Sequence, residues 1–556
     1  MIDKTALKRV LGELPLTAEL YLLLRQRRPL SKSFSLQRLG KYLPEWQTTA
    51  QASAACFPPG HRVLIFNTLR YWIEHGMLLS LALAGLGHQV TLAYLPHANW
   101  RKQLNRFDMR QQNVYARGVL GQVNPLVKTV SLLDVKVETD GKDPLTSLPP
   151  PMQEAISQVS LRDTQYTLQI EDFDHQDEAS AAARLYHFRL KRNTQAAQAL
   201  LAHIWSMSKD TRPEVLVTPN GSILEMGVAY QVARYLDIPA ATYEFGEQRG
   251  RIWIAQNDEV MHQNTDALWR AYRDIPLTDS QWEQVRALYE SRQSASLWRN
   301  FARLWQEAPS QGGEHVRSVL GLGSRPVVLL AANVIGDSLT LGRQVFSSNM
   351  TAWLQRTVQF FASRPDVQLV VRVHPGERFT KGPSVAEVVQ RTLPAMPEHI
   401  HLVAASDPIN TYDLAAIADL GLVYTTTVGM EMAMAGVPVI VAGQTHYRER
   451  GFTLDPDSWE AFEATLGKAL ASPQDCRLTQ EQVELAWRYA YRFFFDYPLP
   501  FPWHLHFWDE LKTWPLERVL SENGQAEFGA SFEYLVCNSS NRKKLMDDGL
   551  IFEHST

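Results

Sequence analysis

The chain has 556 residues, more than one ordinary hydrophobic core holds, so two large domains are expected. A hydrophobic share of 45% with 21% charged residues is the composition of a globular chain. Lys and Arg number 55 against 59 Asp and Glu, and the resulting net charge of −4 argues against a nucleic-acid binder, whose footprint is basic. The three cysteines, Cys56, Cys476 and Cys537, are far apart and odd in number. They imply neither a metal cluster nor a disulfide framework and fit a reducing, cytoplasmic compartment. The first residues lack the apolar core and cleavage site of a secretory leader. No apolar run approaches the roughly 20 residues that span a bilayer.

Residues 1–60 read as a helical, basic extension. Six basic residues lie between Leu22 and Lys41 (Arg25, Arg27, Arg28, Lys32, Arg38 and Lys41) with no acidic one. Leu and Phe are interleaved with them. The stretch is either a membrane-surface or acceptor-binding element, or a solvated helix packed on the first domain. Residues 61–255 form a first α/β domain. A buried strand over Arg62–Phe66 is followed by a helix from Glu74 to Gly85 and a strand from Gln89 to Tyr94, one βαβ unit. Polar helices and Pro-rich loops over 96–180 read as insertions. A second βαβ unit spans 213–247, with a Pro-Asn-Gly loop after its first strand.

Residues 256–315 are helical and charged and read as a connection. A second α/β domain covers 316–476. Strands are expected at 325–334, in VQLVVRVHP ending at Pro375, and in HIHLVAA; residues 411–443 then give helix, strand, loop, helix and strand. From 477 to 556 the chain is helical and aromatic, with twelve Phe, Tyr or Trp between Trp487 and Trp514, then a polar end. The aromatic run reads as buried core bracing the first domain.

The polar motifs fall just after the strands of the second domain, where open α/β sheets bind ligands. Thr425, Thr426, Thr427 and Gly429 open a helix after the strand ending at Tyr424. Backbone N–H groups, hydroxyls and the helix dipole there would receive a phosphate, or the threonines simply cap the helix. Glu431, in the first turn, is placed to accept ribose hydroxyls or to complement the dipole. Arg372, His374, Pro375 and Glu377 follow another strand, and Arg372 or His374 could neutralise a leaving phosphate. Asn333, Asp337 and Ser338 follow the first strand of this domain. Asn410 and Tyr412 precede a helix and are within reach of a base or ribose. Gln444, His446, Tyr447, Arg448 and Arg450 follow the last strand and suit an anionic group. In the first domain the candidate bases are His75, Glu74, Glu244 and Glu247, since a base must take a proton from an acceptor hydroxyl.

Two Rossmann-like domains with Gly429-Met-Glu431-Met-Ala-Met-Ala-Gly436-Val-Pro-Val439 in the second resemble the GT-B glycosyltransferases. More narrowly the chain is similar to bacterial capsule and surface-polysaccharide biosynthesis proteins, including the Kdo-transferring capsule enzymes. The motifs that carry this are Asn333-Val-Ile-Gly-Asp337, Phe346-Ser-Ser-Asn-Met-Thr-Ala-Trp353, Arg372-Val-His-Pro-Gly-Glu377, Tyr412-Asp413-Leu414 and Gly443 to Thr453. The resemblance implies a nucleotide-sugar donor as substrate, no cofactor, and a donor site in the second domain in which Gly429 and Glu431 hold the nucleotide. The His374-Pro375 pair looks like the His-Pro pair that contacts CMP in GT-B enzymes using CMP-activated sugars. UDP- and GDP-sugars stay open. A glycan or lipid-linked glycan acceptor, and an inner-membrane surface or polysaccharide assembly complex, are the implied partners. No acidic pair of the metal-binding kind stands out, so metal-independent transfer is expected. A nucleotide-sugar 2-epimerase or a non-catalytic glycan-binding scaffold would share the same architecture.

Overall fold

The computed structural model describes residues 4–24, 34–97, 105–137, 143–299, 301, 304 and 307–537. Arg25, Arg27, Arg28 and Lys32 of the basic stretch, and the polar end after Cys537, lie outside the described residues. The chain forms two compact units. The first comprises 1–164, 175–261 and 499–553; the second comprises 165–174, 262–498 and 554–556.

The first unit opens with helices α1 (Lys4–Glu13), α2 (Thr17–Leu24) and α3 (Gln37–Ala54). There follow β1 (Arg62–Thr68), α4 (Arg70–Gly85), β2 (Gln89–Leu95), α5 (Arg106–Leu120), β3 (Val127–Ser131), α6 (Pro150–Leu168) and α7 (Ala181–Trp205). Next come β4 (Val215–Pro219), α8 (Leu224–Tyr235), β5 (Ala240–Glu244) and β6 (Arg251–Gln256). β1 pairs in parallel with both β2 and β4. α4 is buried on every side from Trp72 to Gly85, as a helix apolar all round must be. The 96–180 stretch, expected as insertions, contributes the edge strand β3, whose VKTVS sequence is too short and too polar to stand out as a strand.

The second unit contains α9 (Asp266–Tyr272), α10 (Asp279–Gln293), α11 (Gly313–Leu320), β7 (Val327–Ala331), α12 (Met350–Ala362), β8 (Gln368–Arg372), α13 (Val385–Thr392) and β9 (Ile400–Val403). It continues through α14 (Thr411–Ala416), β10 (Leu420–Val423), α15 (Val428–Met434), β11 (Val439–Val441), α16 (Trp459–Ala471) and α17 (Gln480–Tyr491). Its sheet runs β11-β10-β7-β8-β9, parallel throughout. The period-2 alternation of a strand splits β7 between two cores. Val327, Leu329 and Ala331 face one, Val328 and Leu330 the other. The stretch 256–315, read from sequence as a connection, places Trp269, Leu277, Val285 and Leu288 in the first of these cores.

α17 runs into a π-helical turn at Arg492–Asp496. The chain then rejoins the first unit with β12 (Leu499–Pro500), α18 (Leu516–Leu520) and α19 (Glu522–Leu535). The first sheet is therefore seven-stranded, in the order β12-β6-β5-β4-β1-β2-β3. The aromatic run read as one brace is divided: Trp487 to Tyr497 pack in the second unit, Phe501 to Trp514 in the first.

Candidate functional site

In the second sheet the strand order reverses between β7 and β10, so the loops leaving those two strands are neighbours at the ligand-binding edge. Asn333 ties them together, its Oδ1 accepting the Thr425 N–H at 3.1 Å. The Thr425 hydroxyl donates to Leu339 O at 2.8 Å, and the Tyr447 hydroxyl donates to Thr426 O at 2.5 Å. The Val428 N–H points at the Thr426 hydroxyl, 3.5 Å away. The threonine loop thus folds on itself, where the sequence suggested an open row of phosphate donors. α15 has only 7 residues, too few for a strong terminal dipole. Gly429 is obligatory for packing: a Cβ there would lie 2.4 Å from the Tyr447 hydroxyl oxygen and 2.8 Å from Val423 Cγ2.

Glu431 does not present a bare carboxylate to a ribose. It is 3% exposed. One oxygen is 2.5 Å from Arg292 Nη1, and the other accepts the Tyr412 hydroxyl at 3.0 Å. Burial and the Glu431 charge hold the Tyr412 hydroxyl well above the ordinary phenol range. The Arg292 guanidinium lies over the Phe494 ring, 4.6 Å from its centroid. Nothing in the sequence signals Arg292, because its partner is 139 residues away on another helix.

Four more of the sequence candidates are also built into the wall. Arg372 donates to Ala404 O at 2.7 Å and to the Thr411 hydroxyl at 3.3 Å; burial pulls its pKa down to about 10, so it stays charged. Glu377 accepts the Val385 N–H at the start of α13, at 3.2 Å, and burial pushes it up to about 7. Asn410 caps α14 through the Tyr412 N–H at 2.8 Å and donates to Gln293 O and Ala308 O. His446 stacks on Phe493 with centroids 3.7 Å apart, and its Nδ1 is 3.0 Å from the Tyr489 hydroxyl. Burial and the Arg450 and Arg343 charges keep it neutral. The π-helical turn is what delivers Phe493 to that ring.

Arg448 is buried too, donating to Val441 O at 2.7 Å, and six other candidates form a more accessible rim. Asp337, Ser338, His374, Pro375 and Thr427 are half-buried, and Gln444 is exposed. His374 Nδ1 accepts the Gly376 N–H at 3.0 Å. In the neutral ring the proton then sits on Nε2, which becomes the donor. The Gln444 N–H is held by Arg343 O at 2.8 Å.

A second group missed by sequence reading comes from residues 165–174. Glu171 accepts the Met350 and Thr351 N–H groups at 3.2 and 2.8 Å, capping α12. The Gln169–Ile170 backbone fills the space a Cβ would need at Gly336, whose φ is 69°. Among the described residues no three His, Cys, Asp or Glu side chains gather as metal ligands do.

In the first sheet the reversal lies between β1 and β4. Their exits are strained. Leu69 has φ 66° and Leu224 φ 55°, each costing about 1–2 kcal/mol for a residue with a Cβ. Such strain concentrates at functional edges. Beside them Glu244, at the end of β5, accepts the Phe245 N–H at 3.0 Å and the Asn220 amide at 3.4 Å. Desolvation nonetheless pushes its pKa up to about 7. His75 and Glu74 are differently placed from the sequence expectation, because α4 begins at Arg70 and carries both beyond the loop. His75 is fully buried among aromatic rings, 3.3 Å from the Tyr243 hydroxyl, and burial lowers its pKa to about 3. Glu74 is paired with Arg70 at 3.1 Å.

Two Rossmann-like α/β units in one chain, the first with a mixed sheet and the second with a parallel one whose polar motifs gather at the carboxyl edge, are the organisation of the GT-B fold. Residues 289–476 match the family model described as capsule polysaccharide biosynthesis protein, the family that the motifs of this stretch resemble. Comparison with curated protein sequences gave no match. Among solved structures, the chain aligns with a KpsC beta Kdo 2,4 transferase of Thermosulfurimonas dismutans at 18% identity and TM-score 0.30, covering 49% of this chain and 79% of that one. The beta Kdo 2,7 transferase of the same organism aligns at 13% identity and TM-score 0.28, covering 49% and 75%. A UDP-GlcNAc 2-epimerase of Neisseria meningitidis aligns at 11% identity and TM-score 0.22, covering 78% and 99%.

Proposed function

We propose that the protein transfers a sugar from a nucleotide-sugar donor to a surface-glycan or capsule-polysaccharide acceptor. The observation that carries this reading is the family match over 289–476, which contains every rim residue named above. The donor occupies the carboxyl edge of the second sheet. His374 donates from Nε2 to the phosphate of the leaving nucleotide, with Thr427 and Gln444 beside it. A CMP-activated sugar, with its single phosphate, fits a rim organised around one His-Pro-Gly turn. Glu431, Arg292 and Tyr412 shape the pocket from behind and do not touch the nucleotide.

Chemically, the anomeric carbon–oxygen bond breaks and the nucleotide leaves with the electron pair. The acceptor hydroxyl oxygen forms the new bond, and its proton passes to Glu244. A carboxylate with a pKa near 7 is matched to that task at neutral pH. The leaving group is stabilised by oriented donors without a divalent metal. Activity that survives exhaustive chelation is therefore expected.

The test is a thermal-shift screen of CMP, UDP, GDP and their sugars against the whole protein, His374→Ala and Thr427→Ala. A ligand that binds only the folded state raises the melting temperature by mass action. One nucleotide class should stabilise the native protein and lose its effect in both variants. Equal shifts in all three proteins, or none at millimolar nucleotide, would dispose of this donor site.

A further inference from the structure

We infer that the α1–α2 hairpin of the first unit is a docking surface for an anionic lipid bilayer. The hairpin is held to α5 from one side only. Ala18 and Leu22 are buried there, and three ion pairs clamp it: Lys8–Asp108, Glu13–Arg106 and Glu19–Arg110. The opposite side is apolar and bare. Val10, Leu14, Leu16, Leu20, Leu23 and Leu24 are exposed, Leu24 by 83%. α2 (TAELYLLL) is therefore apolar on both faces, although only one is covered by protein. A helix of that kind is at home where its second face also leaves water.

Charge decides which environment that is. The hairpin's own acids, Glu13 and Glu19, are both neutralised by arginines of α5. Along the sequence, Leu24 is followed by Arg25, Arg27, Arg28 and Lys32, and six basic residues fall between Leu22 and Lys41 with no acidic one. Exposed leucines on a helix that leads into a basic stretch of sequence suit an interface of acyl chains and anionic headgroups. With 10 and 8 residues, α1 and α2 are too short to cross a bilayer and would lie along it. No helix among the described residues is long and apolar enough to span one. This surface does not rest on the donor-site reading.

The experiment is co-sedimentation of the full chain with vesicles of phosphatidylcholine alone or with about 30% phosphatidylglycerol. Binding to the anionic vesicles is expected at about 0.1 M salt, with a loss of about tenfold or more at about 0.5 M. The variant Leu20→Ser/Leu23→Ser/Leu24→Ser should bind about 1,000-fold more weakly, as each leucine withheld from the acyl region costs roughly a factor of ten. Leu24→Asp alone, at the most exposed position, is the second variant and should show the same direction with an unchanged melting temperature. Failure to sediment with anionic vesicles at low salt would overturn the inference. So would equal binding by the variants, or salt-insensitive binding to both vesicle types. Should the wild type dimerise and the triple variant not, with no lipid binding by either, the face belongs to a second copy of the chain.

Discussion

Replacing Arg292 with Ala tests whether Glu431 is a buried brace or a ligand contact. Both side chains of the pair are more than nine-tenths buried. Removing one partner of such a pair leaves an uncompensated buried charge, at a cost of about 3–5 kcal/mol. The second unit holds 250 residues, and at about 2–4 °C per kcal/mol for a unit of that size the melting temperature should fall by about 6–20 °C. Glu431→Gln keeps an acceptor for the Tyr412 hydroxyl while losing the charge, so it should also destabilise. The double variant should be less damaged than the two losses added together, giving a coupling of about 0.5–3 kcal/mol. Differential scanning calorimetry of the four proteins measures this directly, with nucleotide affinity recorded alongside. A melting temperature unchanged in Arg292→Ala, or a Glu431→Gln protein of full stability that no longer binds nucleotide, would refute the brace and restore a ribose role.

Three further outcomes are expected. Glu244→Gln should abolish the activity limb that rises with an apparent pKa near 7 and lower the rate by about 10²–10⁴-fold, read from a pH–rate profile. The folded state holds the Glu244 proton up to about pH 7, whereas the ordinary value is 4.5, so this group's stabilisation is full below 4.5 and lost as pH rises through 7; melting temperatures of the Gln variant should lack that part of the decline between pH 4.5 and 7. Gly429→Ala should push the Tyr447 hydroxyl off Thr426 O, costing about 1–3 kcal/mol in urea denaturation and weakening nucleotide binding through the displaced loop. Glu171→Ala should destabilise by about 1–2 kcal/mol, since two amides at the start of α12 lose their acceptor.

The strands were legible because each is a short apolar run bounded by turn residues. The five strands of the second sheet fall where VVLLA, QLVVR, IHLV, LGLV and VIV stand. The edge strand β3 and the antiparallel strand β6 escaped because more than half of their residues are not buried, so neither reads as a continuous apolar run. For the candidate site, sequence placed the polar loops after the strands of the second sheet, where the structure has them. It could not say which side chains in those loops point inward. Arg372, Glu431 and His446 look like ligand groups in a one-dimensional reading, since polar residues after a strand ordinarily face solvent. Their burial is decided by Arg292, Thr411 and Phe493, which approach from elements far away in the chain. His75 shows the same limit: its neutrality comes from rings on β5 and the C-terminal segment, which no local spacing encodes.

The division of the first unit into three stretches of chain bears on its synthesis. α3 and α4 emerge early, but α18, which packs on them, is made only after residue 516. The far edge of the first sheet likewise waits for β12. A ribosome-bound chain has therefore completed the second unit before the first can be sealed, and apolar surface on α4 stays uncovered for most of translation. Fragments cut near residue 261 would inherit that open state permanently, and the two halves should be produced together or not at all.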